Sequence, residues 1–250
     1  MNEKQKIREQ LINLGVNPGD VVMMHSSMKS LGTKLTPSEF LQVLMDLLDD
    51  DGTLLLPALT YEGVTSENPV FSALESEPCV GVLPKTFMKM PGVKRSIHPT
   101  HSVFAWGKRA DELTSRHYID NTPVGENSPF MLITEMDGKL LFIGDILYSC
   151  TYMHGLEEIA NAPYVMKKDQ VSFTLVDENG KSAEKLYFVH DFEDWEQEYE
   201  RIRDILSEPY IKTGIVCDAP CTLISAKDLK KAALLEFEKD AYSFVSKKQN

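Results

Sequence analysis

Apolar residues recur along the chain in two rhythms, one of three to four residues and one of short unbroken runs. Between residues 3 and 14, Ile7, Leu11 and Leu14 repeat at helical spacing, and Gly15 is the stop signal. Asn17-Pro18-Gly19-Asp20 reads as a turn, and Val21-Val22-Met23-Met24 as a buried strand. Thr36-Pro37-Ser38-Glu39 is a capping box with proline at the first helical position. The helix it opens presents Phe40, Leu41, Leu44, Leu47 and Leu48, and Asp51-Gly52 ends it before a strand from Thr53 to Leu56. An irregular stretch covers residues 57–80, then a short helix over 81–90 and a turn at Pro91-Gly92. Val103-Phe104-Ala105-Trp106 is a strand and 108–117 a polar helix. Ser128-Pro129 caps an apolar helix that closes at Asp137-Gly138. Lys139 to Ile143 is a further buried strand, and 151–160 a helix.

The rhythm then changes to alternation. Residues 171–176 and 185–189 flank Glu178-Asn179-Gly180, a hairpin signal. Helical patterns follow over 194–207, with Asp194 as N-cap, and over 225–245, capped by Ser225 with Asp228 three residues on. No repeat, low-complexity linker or domain boundary interrupts the chain. The pattern predicts one α/β domain with a mixed sheet and a β-hairpin excursion near residues 171–190.

Charge narrows the partners. With 26 Lys+Arg against 38 Asp+Glu the formal net charge is −12, which argues against general nucleic-acid binding and suits cationic ligands or plain solubility. Cys79, Cys150, Cys217 and Cys221 fit no redox or zinc spacing and read as reduced apolar side chains. The first residues lead straight into an amphipathic helix without an apolar targeting segment, so a cytoplasmic location away from membranes is expected.

Several clusters carry polar chemistry. His25-Ser26-Ser27 follows the first strand, where α/β folds bind ligands, and either holds a phosphate or pantetheine amide or simply caps a turn; Lys29 adds a cation. In His98-Pro99-Thr100-His101-Ser102 the proline stiffens the link between two imidazoles, and Lys94-Arg95 precede them. On a helix, His154 shares a face with Glu157 and Glu158, so a carboxylate there can orient the ring as a general base, or the pair is a surface ion pair. His190-Asp191-Phe192-Glu193 adds carboxylates. Two rivals use the same residues: a nucleophilic Cys150, and a metallohydrolase built from His98, His101, His154 and Asp145. Neither a P-loop nor a G-x-G-x-x-G fingerprint occurs.

Taken in order, G-V-N-P-G-D-V-V-M-M-H-S-S-M-K-S-L-G (15–32), G-T-L-L-L-P-A (52–58), R-S-I-H-P-T-H-S (95–102), S-P (128–129), L-L-F-I-G (140–144), T-Y-M-H-G-L-E (151–157) and C-D-A-P-C-T-L-I-S-A-K-D-L (217–229) resemble the aminoglycoside 3-N-acetyltransferase family. The resemblance spans nearly the whole chain, with Cys150 standing where the family often has asparagine. It implies a three-layer α/β/α sandwich, a single acetyltransferase domain over 1–250, acetyl-CoA as co-substrate without a metal, and direct transfer to an amine acceptor by a monomer or homodimer. Carried over by motif, His25, Ser26, Ser27, Met28, Lys29, Arg95, Thr100 and Ser102 would line the coenzyme A side, with Lys94 as a further cation and His101 close to the chemistry. His154 would be the base, partnered by Glu157, Asp191 or Glu193, and the hydroxyls of Thr100 and Ser102 would face the oxyanion. Tyr61, Glu62, Glu126 and Glu158, with Asp120, are the candidates for holding a polycationic aminoglycoside; a different amine is the alternative acceptor.

Overall fold

Residues 2–248 are described by a computed structural model. The chain runs through α1 (Glu3–Leu14), β1 (Val21–Ser26), α2 (Pro37–Leu48), β2 (Thr53–Pro57), β3 (Val70–Ser72), α3 (Val82–Phe87), β4 (Lys94–Arg95) and β5 (Val103–Gly107). It continues through α4 (Ala110–Thr114), α5 (Pro129–Glu135), β6 (Lys139–Ile143), α6 (Tyr152–Ile159), β7 (Val171–Val176), β8 (Ser182–Tyr187) and β9 (Trp195–Gln197). The last elements are α7 (Ile202–Ile205), β10 (Ile211–Val216), β11 (Ala219–Ser225), α8 (Ala226–Lys239) and β12 (Val245–Lys247).

The main sheet has the order β10-β11-β6-β1-β2-β5-β4. Its centre, β6-β1-β2, is parallel, and its flanks are antiparallel. Strands covered on both faces need no polar side, which is why V-V-M-M, L-L-L and L-L-F-I are continuous apolar runs. Alternate residues divide between two cores. Val22, Met24, Leu54, Leu56, Leu141 and Ile143 meet α1, α2 and α3. Val21, Met23, Leu55, Leu140 and Phe142 meet α4, α5, α6 and α8 on the other face. This is the three-layer sandwich the sequence pointed to.

The caps read from the sequence are present. Thr36 accepts from the Glu39 amide and Glu39 answers at the Thr36 amide, an arrangement worth about 1 kcal/mol to the helix. Ser128 and Ser225 cap α5 and α8 by accepting from the Met131 and Asp228 amides.

Several expectations are corrected. Residues 194–207 are not one helix: Trp195–Gln197 pairs antiparallel with Val245–Lys247, and only Ile202–Ile205 is α-helical. Asp194 therefore opens no helix, and its carbonyl accepts from the Lys248 amide. Pairing partners about fifty residues away outweigh local helix propensity in this segment. The irregular stretch hides β3, which runs parallel to β7 and makes the hairpin part of a three-stranded sheet. The β10–β11 hairpin adds to the expected elements; its turn places Cys217 at a φ of 52°, a left-handed position without the glycine that usually marks it. The polar helix is confined to Ala110–Thr114, and α8 ends at Lys239. No helix of the described residues is long and apolar enough to cross a membrane.

Candidate active site

Topology gathers the candidate residues at one end of the sheet. In the parallel pair β1–β6, Ser26 lies opposite Ile143, so the loops leaving both strands are neighbours at their carboxyl ends. Gly144, at a φ of 99°, lets them touch, since a Cβ there would meet Ser27 Cβ at 3.2 Å and Ser30 Oγ at 3.1 Å. Because β5 is antiparallel to β2, the residues entering β5 lie beside those leaving β2: the Ala58 and Thr60 amides donate to the Ser102 and Thr100 carbonyls at 2.8 and 2.9 Å. His101 thereby arrives near His154 at the start of α6, in the cleft that His25 also lines. The result is a cleft of about 990 Å³ whose wall includes His25, His101, His154, His190 and Tyr199.

His154 sits in the first turn of α6 with Glu157 three residues on. Gly155 between them lets α6 press close to its neighbours, since a Cβ would stand 2.5 Å from Met131 Cε and 2.8 Å from Val124 Cγ1. His154 Nδ1 is 2.9 Å from Glu157 Oε2, and Glu157 is fully buried. The Tyr199 hydroxyl lies 2.8 Å from His154 Nδ1 and 3.0 Å from each Glu157 oxygen. The Tyr164 hydroxyl donates to Glu157 Oε1 at 3.1 Å. Burial and the adjacent carboxylate push both phenols up from their usual range, so they remain donors. A carboxylate that already accepts from two phenols takes the Nδ1 proton as its third donor. That fixes the tautomer with the Nε2 lone pair free.

Of the other five histidines, His101 and His190 pack against His154, and burial disfavours the charged form of all five. His101 packs against His190 at 4.8 Å between centroids and lies 6.3 Å from His154; its Nδ1 is 2.8 Å from Thr100 Oγ1. His190 is 4.6 Å from His154. His98 turns inward: its Nδ1 accepts the Thr100 and His101 amides at 3.2 and 2.9 Å, and its ring stacks on His117 at 4.8 Å. The first histidine of the H-P-T-H segment therefore builds the turn, and the second faces the cleft. His25 stacks on Phe142 at 4.9 Å, with both ring nitrogens buried and unpartnered among the described residues. Burial holds His25 and His117 near a pKa of about 3, and His98, His101 and His190 well below the usual histidine range.

The other candidates divide. Ser26, Ser27, Met28, Lys29, Thr100 and Tyr61 line the cleft. Arg95 and Ser102 do not: the guanidinium spans the Ser72, Ala73, Ser76 and Ala58 carbonyls and stacks on Phe71 and Phe104, and Ser102 Oγ accepts from Arg95 Nε and donates to Ala58 O. They are a buried brace behind the site. Lys94 pairs with Asp111 at 3.3 Å. Glu193 is exposed and bound to Lys167 at 2.6 Å, and Asp191 lies outside the cleft wall, so neither reaches His154. Glu62 and Glu126 are exposed, and Asp120 accepts both the Asn127 amide and its side chain. Glu158 is half-buried, accepts from the Val124 amide at 2.8 Å and approaches His190 Nε2 at 3.5 Å; desolvation pushes it up to about 7. With Glu126 it borders a second cleft of about 550 Å³.

Both rival chemistries lose a member. Asp145 is exposed, 3.6 Å from Arg203, and does not join the histidines as a metal ligand. Cys150 is fully buried and its thiol is pushed up to about 12, the opposite of an activated nucleophile.

The family model described as aminoglycoside 3-N-acetyltransferase matches residues 23–238. The chain belongs to this family. Aminoglycoside N(3)-acetyltransferase IV from Salmonella is 29% identical over 97% of this chain and 90% of its own length. The SPbeta prophage-derived aminoglycoside N(3')-acetyltransferase-like protein YokD from Bacillus subtilis is 28% identical, over 89% of this chain and 87% of its own. Among solved structures, aminoglycoside acetyltransferase AAC(3)-IVa as apoenzyme superposes with a TM-score of 0.80 at 29% identity, covering 96% of this chain and 90% of that one. AAC-IIIb in binary complex with CoASH gives 0.83 at 25% identity, covering 94% and 96%. A histidine-to-alanine mutant of AAC(3)-IVa in complex with a gentamicin gives 0.82 at 29% identity, covering 96% and 90%. This family member is accordingly an acyltransferase on the α/β/α scaffold.

Sequence reasoning missed Tyr199, Tyr164 and Phe192, the last stacked on the His154 ring at 4.9 Å. Tyr199 falls in the segment that read as helix, and no local signal marks it.

Proposed function

We propose that the chain, acting as one catalytic domain over residues 1–250, transfers the acetyl group of acetyl-CoA directly to an amine, with His154 as the general base. The observation that carries this reading is the buried Glu157 carboxylate 2.9 Å from His154 Nδ1, a partner suited to hold the proton there and leave Nε2 as the acceptor in the cleft. Acetyl-CoA supplies an acyl thioester, a carbonyl open to attack once the amine is uncharged.

The site fits that co-substrate. A volume of about 990 Å³ is at the upper end for a ligand cleft and leaves room for a long thiol ester beside a small acceptor. Ser26, Ser27, Met28 and Lys29 offer hydroxyls and a cation for its polar, anionic length, and the two unpartnered nitrogens of His25 call for a bound group. The relative captured with CoASH supports the same assignment, and a cytoplasmic site of action follows from where acetyl-CoA is available.

In this reading Nε2 removes a proton from the acceptor ammonium or from the attacking amine. Glu157 balances the imidazolium, while Tyr199 and Tyr164 keep the carboxylate aligned with the ring. A positioned base is worth on the order of 10²–10⁴-fold. Ser102 is unsuited to the oxyanion because its hydroxyl is spent on Ala58, and Thr100 Oγ1 is paired with His101. The gentamicin complex of a relative's histidine-to-alanine mutant supports a histidine that acceptor binding does not need. The test is coenzyme A release from acetyl-CoA with a panel of amines, with mass spectrometry of the product. An amine heavier by one acetyl group is expected; the absence of any acetylated amine contradicts the reading.

A further inference from the structure

Acetyl transfer to an ammonium moves more protons than a single base can hold. At neutral pH an aliphatic amine is charged, so it gives up one proton before it can attack and a second as the amide forms. The departing coenzyme A sulfur takes one of the two, and the other must leave the site. His154 has one nitrogen for this work, Nε2, because Nδ1 faces Glu157 at 2.9 Å.

A second carboxylate–imidazole pair stands beside the first. His190 lines the same cleft, its ring 4.6 Å from that of His154 and 4.8 Å from that of His101. Its Nε2 is buried without a hydrogen-bond partner among the described residues and lies 3.5 Å from Glu158 Oε1. Glu157 and Glu158 are consecutive on α6, so their side chains diverge by about 100° and each approaches a different ring. Backbone pairing fixes the segment that carries His190. The Lys167 amide donates to the Val189 carbonyl at 2.9 Å, the Asp191 amide to the Val165 carbonyl at 3.0 Å, and His190 bridges to Met166. Glu158 accepts from the Val124 amide at 2.8 Å and borders the second cleft of about 550 Å³. The pair therefore spans the partition between the two clefts, with the imidazole on one side and the carboxylate on the other.

We infer that His190 and Glu158 take the first proton, the one whose loss turns the acceptor ammonium into an amine, and pass it to the second cleft, leaving His154 for the second proton. The inference rests on the acetyltransferase reading above. One ammonium N–H bond breaks as its proton passes to the His190 ring. The ring gives a proton from Nε2 to Glu158, which releases it to water in the second cleft. The free amine then forms the C–N bond as the thioester C–S bond breaks. Its second proton goes to His154 Nε2 and from there to the coenzyme A sulfur, which leaves with the electron pair. One proton is released for each ammonium acetylated.

The charges around the pair suit transit rather than storage. Burial and the neighbouring His154 and His98 disfavour a lasting charge on His190, and His101 packs against the same ring. Desolvation, with Asp120 and Glu157 nearby, lifts the Glu158 carboxyl to about 7, so it accepts and releases a proton near neutral pH. Glu126 shares the second cleft, and Lys167, which lines both clefts, is bound to Glu193 at 2.6 Å.

The experiment measures kcat/KM for gentamicin, or for whichever amine is turned over fastest, at saturating acetyl-CoA between about pH 7 and about pH 9.5, where the acceptor is increasingly uncharged. Glu158→Gln keeps an oxygen for the Val124 amide but cannot take a proton. It should be slower than wild type on the order of tenfold at about pH 7 and within about twofold at about pH 9.5, whereas the deficit of His154→Ala persists at both. Should Glu158→Gln fail to fold, as calorimetric binding of coenzyme A reports, His190→Gln carries the same expectation. A deficit equal at both pH values, or none at the lower one, overturns the inference and leaves the acetyltransferase reading standing. The absence of acetylated amine from the wild-type protein overturns both.

Discussion

Lowering the pH from about 7.5 to about 5.5 should remove about 5 kcal/mol from the stability of the fold. His25, His98, His101, His117 and His190 are buried with the charged form disfavoured, His25 and His117 near about 3 and the others well below the usual range. In the unfolded chain they titrate near 6.5. A depressed folded-state pKa means the unfolded state takes up the proton first, so stability is full above the unfolded value and is lost as pH falls. Each ring contributes a loss of about 1.4 kcal/mol over this interval, and five together about 7. Glu158 acts in the opposite sense. Burial lifts it to about 7, so the folded state binds a proton that the unfolded state does not, returning about 2 kcal/mol over the same fall in pH. The difference is comparable to the whole stability of many domains. Urea unfolding followed by far-UV circular dichroism at half-unit pH steps measures it directly. His117→Gln removes one of the five rings and should shrink the pH-dependent loss by about 1.4 kcal/mol. An unfolding free energy constant to within about 1 kcal/mol across the interval would refute the claim that these rings are held neutral.

Other substitutions separate support from chemistry. Glu157→Gln removes the countercharge and places an amide donor against donors, so kcat should fall on the order of 10²–10⁴-fold in the thiol-release assay, with little change in the KM for acetyl-CoA. Tyr199→Phe breaks one link between ring and carboxylate and should lower kcat on the order of tenfold without moving KM, read in the same assay. Arg95→Ala strands four carbonyls and an aromatic sandwich. It should cost about 3–5 kcal/mol in urea unfolding, while any folded fraction binds coenzyme A normally by calorimetry.

Most of the framework was legible because it obeys local rules. The runs at Val21–Ser26, Thr53–Pro57 and Lys139–Ile143 are strands sealed on both faces, and the Thr36, Ser128 and Ser225 caps mark helix starts that need no distant partner. Segments whose conformation depends on remote pairing were not legible. Trp195–Gln197 is a strand only because Val245–Lys247 lies beside it, and Val70–Ser72 only because β7 does. The site followed the same division. His154 and Glu157 share a helical face, so their pairing could be read from spacing. Arg95 precedes the H-P-T-H segment yet turns away into the core, since strand pairing sends neighbouring residues to opposite faces. Tyr199 reaches the pair from 42 residues beyond Glu157, and spacing carries no trace of such a contact. The carboxylates named for a cationic acceptor lie outside the wall of the cleft that holds His154, since an acidic residue's place in the sequence does not say which surface it faces.

The central claim is that His154 Nε2 takes the acceptor proton. Chemical rescue of His154→Ala tests it most directly, because the vacated ring position opens into the cleft. Coenzyme A binding should survive in calorimetry while amine acetylation falls on the order of 10²–10⁴-fold, and added imidazole should restore a measurable part of the rate. Acetylation by His154→Ala at the wild-type rate, or a loss of rate matched by a loss of coenzyme A binding, would contradict it.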